Sequence, residues 1–369
     1  MSPTVVVIGG GYGGSAAAKA LDGVADVVLV DPKDAFFHAV GALRAVVDPE
    51  FLPKVFFPYD KLLANGRVVR DRAVRVEPGR VTLASGEELA ADYIVLATGS
   101  GYPFPAKSDL DDSAAAQRKY REAHADLLAA DHVLLLGAGP VGLEFAGEIK
   151  AVWPEKKVVI VDPVADILSE YEPELREEIR RQLAALDVQL VLGTPLKENP
   201  ATASGERGTF HVSTAADVDI TADIWFRCFG VVPHTDYLAG ALADVRQANG
   251  EVAVTDTLQV KGQDTVFALG DITDIAESKR AGTASRHAQV VADNIKALIE
   301  GEGEGEGEGS GGLAAYRPGP PAILLPLGPT GGAAQLPGQG VLGADVAARY
   351  KGADLLTGRF GELFGTRTD

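Results

Sequence analysis

Two short glycine-rich stretches carry most of the chemistry legible in the chain. Gly9, Gly11 and Gly14 have the spacing G-x-G-x-x-G within the run Gly9-Gly10-Gly11-Tyr12-Gly13-Gly14, and Gly137, Gly139 and Gly142 repeat it further along. In such a loop one glycine permits a tight turn, a second lets the main chain approach a pyrophosphate, and a third lets a helix lie close to a strand. The helix that follows offers free N–H groups and the positive end of its dipole to phosphate oxygens. Each loop also has an acid about twenty residues on, Asp31 for the first and Asp162 for the second. A carboxylate there accepts hydrogen bonds from a ribose hydroxyl. Asp162 would repel a 2′-phosphate and no arginine directly follows it, which favours NADH. Lys156 and Lys157 nearby leave NADPH open. Two complete loops imply two dinucleotides, the alternative being a duplicated fold that has lost one ligand.

The elements around the loops suit that chemistry. Thr4-Val5-Val6-Val7-Ile8 leads into the first loop, an Ala-rich helix runs to Leu21, and Asp26 to Val30 ends at Asp31. Val133 to Leu136 leads into the second, a helix runs to about Val152, and Lys157 to Val161 ends at Asp162. Both are βαβ openings with continuous apolar strands, as a buried parallel sheet requires. Leu175, Ile179, Leu183 and Leu186 mark one face of a packing helix, and Ala288, Val291, Ile295 and Leu298 mark another. Val188 to Val191, Trp225 to Gly230 and Thr265 to Asp271 read as further strands, the last ending in Gly270-Asp271. The Gly-Glu alternation from Gly301 to Gly309, with Ser310-Gly311-Gly312, reads as a solvated linker. From Leu313 the chain reads as a small irregular domain packed on the rest. Its Leu355-Leu356, Phe360 and Leu363-Phe364 suit such packing better than a membrane, and Gly358, Gly361 and Gly365 weaken a helix there.

At 369 residues the chain is too long for one ordinary domain, and 46% hydrophobic residues can fill more than one core. No run of eighteen apolar residues and no basic leader is present, and Ser2 stands where an N-myristoylation acceptor would need glycine. The expectation is a cytoplasmic protein without stable membrane insertion, peripheral contact being left open. A formal charge of −18 argues against nucleic acid as a partner. The single cysteine, Cys228, can form neither an intrachain disulfide nor a two-cysteine redox centre. The six histidines show no metal spacing, so no metal is expected.

Two further motifs complete a pattern: Ala97-Thr98-Gly99-Ser100 after the strand Tyr93 to Leu96, and the strand ending in Gly270-Asp271. In this order the four motifs resemble the two-dinucleotide-binding flavoprotein superfamily of pyridine nucleotide-disulfide reductases and type II NADH dehydrogenases. Asp31-Pro32-Lys33-Asp34, Phe37-His38 and Gly41-Ala42-Leu43-Arg44-Ala45 look most like its ferroptosis-suppressor, apoptosis-inducing-factor-like quinone oxidoreductases. The resemblance covers roughly residues 4 to 300 and is thin beyond. It implies FAD on the first loop, with Arg44 beside the cofactor, Asp271 at its ribityl-pyrophosphate region and the backbone near Ala73 at its adenine. Thr98-Gly99 is then where the chain leaves the FAD domain. A helix starting near Thr283 would point its N-terminus at the flavin, with His287 in its first turn as a flavin or quinone contact or a structural histidine. Lys279 and Glu144 match a lysine before that helix and a glutamate near the nicotinamide.

One departure from the superfamily narrows the mechanism. The stretch Phe36 to Val47, where disulfide reductases carry their redox cysteines, contains none. Cysteine relay chemistry is excluded, which leaves transfer from NADH or NADPH through FAD to a small quinone-like acceptor. A redox-sensing binding protein and a reductase feeding a separate electron-transfer protein are the alternatives. The expected fold is α/β: two Rossmann-like dinucleotide-binding domains, the NAD domain (108–230) inserted in the FAD domain (1–107 and 231–300), then a linker (301–312) and a small α+β segment (313–369).

Overall fold

The computed structural model describes residues 2–303 and 312–366. Its two largest sheets are parallel, and their strands are the apolar runs that flank the glycine loops. The first sheet has the order Val266–Ala268, Tyr93–Leu96, Thr4–Ile8, Asp26–Val30, Arg67–Val69. Val5, Val6 and Val7 are wholly buried at its centre. The second has the order Val188–Leu192, Lys157–Asp162, His132–Leu136, Ile224–Arg227. Parallel pairing fixes both loops at the C-terminal edges of their sheets, the edge where ligands of open α/β sheets bind. The chain leaves the first sheet after Leu96, builds the second, and returns to add Val266–Ala268 beside Tyr93–Leu96. The outgoing and returning segments pair as a short antiparallel ribbon, Ser100 opposite Pro233.

Helix α1 (Tyr12–Leu21) follows the first loop, and α2 (Ala42–Val47) lies beyond Asp31. Helix α3 (Ser113–Leu128) is capped by Asp112, whose carboxylate accepts the Ala115 N–H. Helix α4 (Pro140–Val152) follows the second loop, with Pro140 in its first turn, where a missing N–H costs nothing. Helix α5 (Pro173–Ala185) buries Leu175, Ile179 and Leu183, the face its spacing predicts. Helix α6 (Ala281–Gly303) packs along α1.

Three expectations need correction. Helix α6 begins at Ala281, two residues before Thr283, so His287 lies in its second turn and not its first. The same helix continues through Gly301 to Gly303, carried by the buried Val291, Ala292 and Ile295 upstream, so the first residues of the Gly-Glu tract are helical. The remainder of that tract, 304–311, lies outside the described residues. The C-terminal segment is also more regular than its Pro-Gly clusters suggest. Ile323–Leu327, Gly331–Leu336 and Gly340–Leu342 form an antiparallel sheet, followed by α7 (Ala344–Ala347), a π-helical turn at Ala348–Gly352, and α8 (Thr357–Leu363).

Helix α8 forms despite Gly358 and Gly361. Phe364, just past its end, stacks on Phe36 at 4.7 Å, and Phe360 stacks on the same ring at 5.5 Å. Burying a phenyl ring stabilises by about 1.5–3 kcal/mol, more than the ~1 kcal/mol each glycine costs. The apolar residues of this stretch are thereby turned inward. Among the described residues no helix is long and apolar enough to cross a membrane.

Candidate dinucleotide sites and the joint between them

At the first loop Gly9 has φ +101°, and a Cβ there would lie 2.5 Å from the Ala97 carbonyl oxygen. A Cβ on Gly14 would lie 1.8 Å from the Gly9 carbonyl oxygen, so only glycine lets α1 start this close to the strand. Above Gly11, by contrast, no atom comes within 4 Å of a built Cβ. A tight base under an open crest is what main-chain approach to a pyrophosphate requires. The Asp31 carboxylate accepts the Gly10 N–H at 2.6 Å and the Lys33 N–H at 2.8 Å, and burial pushes its carboxyl up. A cavity of about 340 Å³, lined in part by Lys33, Asp34, Tyr59, Val68 and Arg70, opens beside it. Ala73, expected near an adenine, is buried at the start of the strand Ala73–Glu77 in a separate antiparallel sheet.

The second loop repeats this geometry residue for residue. Gly137 has φ +115° with a built Cβ 2.8 Å from the Cys228 carbonyl oxygen, Gly142 would meet Gly137 at 1.9 Å, and Gly139 is open. Asp162 accepts the Ala138 N–H at 2.6 Å and the Val164 N–H at 2.7 Å. Cys228 thus occupies, under the second loop, the place Ala97 holds under the first. Its thiol is buried and pushed up to about 12, so it carries almost no thiolate at neutral pH.

Around the first loop the other expected residues take distinct places. Tyr12, the first residue of α1, accepts the Val40 N–H at 3.0 Å and lies 3.0 Å from His38 Nδ1. A Cβ on Gly13 would meet Leu269 at 2.3 Å and the Ala284 carbonyl at 3.1 Å, which is the close approach of α1 to α6. Thr98 bonds the His234 carbonyl at 2.5 Å, and Gly99 has φ +63° where the chain turns toward the second sheet. Gly270 has φ +73° and aims Asp271 at Ser100 Oγ, 2.5 Å away, and Lys107 Nζ, 3.3 Å away.

Two expected residues are turned to internal partners. The Gly270 N–H donates to His287 Nδ1 at 3.1 Å, which leaves Nε2–H to donate to Glu277 at 2.8 Å. His287 is buried and its pKa is lowered by that burial, so it stays neutral and props the Gly270-Asp271 turn from behind. Lys279 donates to the carbonyls of Thr273 and Ile275 and pairs with Glu251 at 3.3 Å.

The joint between the two sheets holds the rest. Arg44, on α2, forms a bidentate pair with Glu148 of α4 at 2.9 and 2.7 Å, and its Nη1 donates to the Ala353 carbonyl at 2.9 Å. Both side chains are buried. One turn earlier on α4, Glu144 meets Lys351 Nζ at 2.7 Å. Burial pushes the Glu144 carboxyl up, and the ammonium opposes that shift. Lys351 sits in the π-helical turn, and two residues of left-handed backbone follow it, Leu355 (φ 52°) and Leu356 (φ 66°). His38 Nε2–H donates to the Leu355 carbonyl at 2.6 Å. Sequence reasoning missed Lys107, Glu148 and Lys351, and gave Ser100 no role beyond closing the Ala97–Ser100 motif. Only Glu148 left a local signal, four residues after Glu144 on the same helical face.

Paired glycine loops, paired acids and a Gly-Asp turn on one crossed-over chain define a two-dinucleotide oxidoreductase architecture. The family model for pyridine nucleotide-disulphide oxidoreductases matches residues 3–290, and the chain belongs to that family. It is 33% identical over 349 residues to a Xenopus tropicalis protein named ferroptosis suppressor protein 1, covering 91% of this chain and 89% of that one. It is 34% identical over 260 residues to the Flammulina velutipes FAD-dependent oxidoreductase FVFD30, covering 68% and 78%. Among solved structures it resembles NDH2 from Plasmodium falciparum in complex with NADH, with a TM-score of 0.70 over 95% of this chain and 93% of that one, at 11% identity. The last match speaks for the fold alone.

Proposed function

We propose that the chain is an FAD-dependent enzyme that takes reducing equivalents from NADH and delivers them to a small quinone-like acceptor without a cysteine relay. The observation that carries this reading is the repetition of one loop geometry at two sheet edges, beside a joint of buried ionic groups, with the one thiol of the chain, Cys228, buried and pushed up to about 12. Two open crests, over Gly11 and Gly139, fit two pyrophosphates. FAD, when bound, supplies a two-electron carrier that accepts from a nicotinamide and donates to an organic acceptor.

The chain's own residues have separable tasks. Asp31 and the Gly9–Gly14 loop would hold the ADP half of FAD, with residues 1–107 and 231–300 as its domain. Asp162 and the Gly137–Gly142 loop would hold NADH in 108–230. Both Asp162 oxygens already accept N–H groups, and the carboxylate disfavours a second anion, so NADPH should be the poorer donor. Glu144 and Lys351 would fix charge beside the nicotinamide in a water-poor joint, where electrostatic orientation is strongest. With Cys228, the one thiol, buried, the acceptor must reach the flavin itself, which a planar quinone can do. Relatives named ferroptosis suppressor protein 1 fit this reading, and the proposed place of action is the cytoplasm.

The test is anaerobic. Purified protein should be yellow, should bleach on addition of NADH faster than with NADPH, and should recover its colour on addition of a short-chain quinone. Colourless protein that takes up no FAD would end the reading. Bleaching without recovery by any quinone would leave the flavoprotein and remove the acceptor.

A further inference from the structure

The carboxylate of Asp271 is held by one oxygen only. Its Oδ2 accepts Ser100 Oγ–H at 2.5 Å and Lys107 Nζ–H at 3.3 Å, while among the described residues Oδ1 has no hydrogen-bond partner. The Lys107 ammonium spends its other donors on the Ser100 carbonyl at 2.7 Å and Ser100 Oγ at 3.0 Å. Lysine, serine and aspartate therefore form a closed triangle. The serine hydroxyl donates to the acid and accepts from the ammonium, so neither can turn without losing a bond.

The triangle stands in a definite place. Ser100 and Asp271 follow the neighbouring strands Tyr93–Leu96 and Val266–Ala268, on one side of the Thr4–Ile8 strand that feeds the first loop. Asp31 follows the strand on the other side. A dinucleotide whose pyrophosphate crosses the loop therefore has its two halves at opposite acids. A free carboxylate oxygen accepts hydroxyl hydrogens and repels phosphate. With the adenosine ribose at Asp31, the hydroxyl-bearing part left for Asp271 is the ribityl chain.

We propose that Lys107 is a positioning residue for FAD, locking Asp271, with Ser100, so that Oδ1 faces a polyol hydroxyl. The inference rests on the FAD reading above. Lys107 lies on the segment that leaves the first sheet for the second, so the flavin side of the site is completed by the crossover and not by the sheet that bears the loop.

The test titrates FAD, and separately ADP, into deflavinated full-length protein, following flavin fluorescence and thermal shift. Lys107→Met should weaken FAD about tenfold to a hundredfold, the range expected when a charge-assisted hydrogen bond is lost. It should leave ADP binding unchanged, because ADP has no ribityl chain, with only a small fall in the melting temperature of the apoprotein from the lost bonds to Ser100 and Asp271. Lys107→Arg should restore most of the FAD affinity. In an Asp271→Asn background Lys107→Met should have little further effect, since the lysine acts through the acid. Wild-type affinity in Lys107→Met would overturn the proposal, as would equal weakening of FAD and ADP, or an undiminished effect in the Asp271→Asn background. Failure of the wild type to bind FAD would overturn the functional reading as well, and is a different result.

Discussion

Under the proposed function Glu144 and Lys351 stand beside the nicotinamide. Removing one member of a buried ion pair leaves the other charge without compensation, a loss of about 3–5 kcal/mol in typical cases. Glu144 without its ammonium would be driven to take up a proton, because burial already pushes its carboxyl up. Lys351→Met should therefore slow reduction of the flavin by NADH about tenfold or more while FAD stays bound. Stopped-flow reduction of the holoenzyme measures this, and an unchanged rate would remove the pair from the mechanism. Cys228→Ser, in contrast, should keep most of the turnover, since the thiol is a packing group beneath Gly137. At this scale the sequence revealed residues whose role is local. Asp31 and Asp162 were legible because a strand end and a loop at fixed spacing place them. Lys351 was not, because it meets Glu144 only after the chain has folded back 207 positions.

The two loop-helix units are near-copies in geometry but not in consequence. A Cβ at Gly11 or Gly139 meets no atom, so neither glycine is needed for folding and both crests are free for a ligand. Gly11→Leu should give soluble, colourless protein, whereas Gly139→Leu should give yellow protein that NADH does not bleach. Absorption spectra of the two purified variants decide it, and the opposite pattern would exchange the two sites. Gly14→Ala is a different change, since its Cβ would sit 1.8 Å from the Gly9 carbonyl and would displace α1 itself. These units were legible because buried parallel strands write themselves as unbroken apolar runs. Helix α8 was not, since its glycines lower local propensity and its stability comes from Phe36 and Phe57, three hundred residues away in the chain. The antiparallel pieces Ala73–Glu77, Arg80–Leu83 and Glu88–Ala90 are short and bury only one or two residues each, and left too little periodicity to read.

Taken whole, the molecule is tied together by the C-terminal segment. His38 is one of its ties, and burial lowers its pKa to about 4, from 6.5. Below pH 6.5 the unfolded chain takes up a proton that the folded chain refuses until about pH 4, so stability is full above that window and falls through it as pH drops. The contribution is ~3 kcal/mol for this one group. Urea denaturation at about pH 7 and about pH 4.5 should show that loss in the wild type and a smaller one in His38→Gln. Equal losses would show that His38 takes no part. The overall plan of two sheets on a crossed-over chain was legible from the order of four motifs, while the grip of the tail on both sheets was not, because it is made largely to the main chain. Arg44 and His38 hold the carbonyls of Ala353 and Leu355, and Lys351 lies just upstream. A main-chain oxygen is present whatever the side chain, so substitution at the exposed Ala353 should be almost silent, whereas Asp354, whose carboxylate accepts the Leu356 N–H at 2.9 Å, is the exception. Removal of a single residue between Lys351 and Leu355 would shift all three ties out of register together. Mutational tolerance across this short stretch should thus be generous to spelling and severe to length.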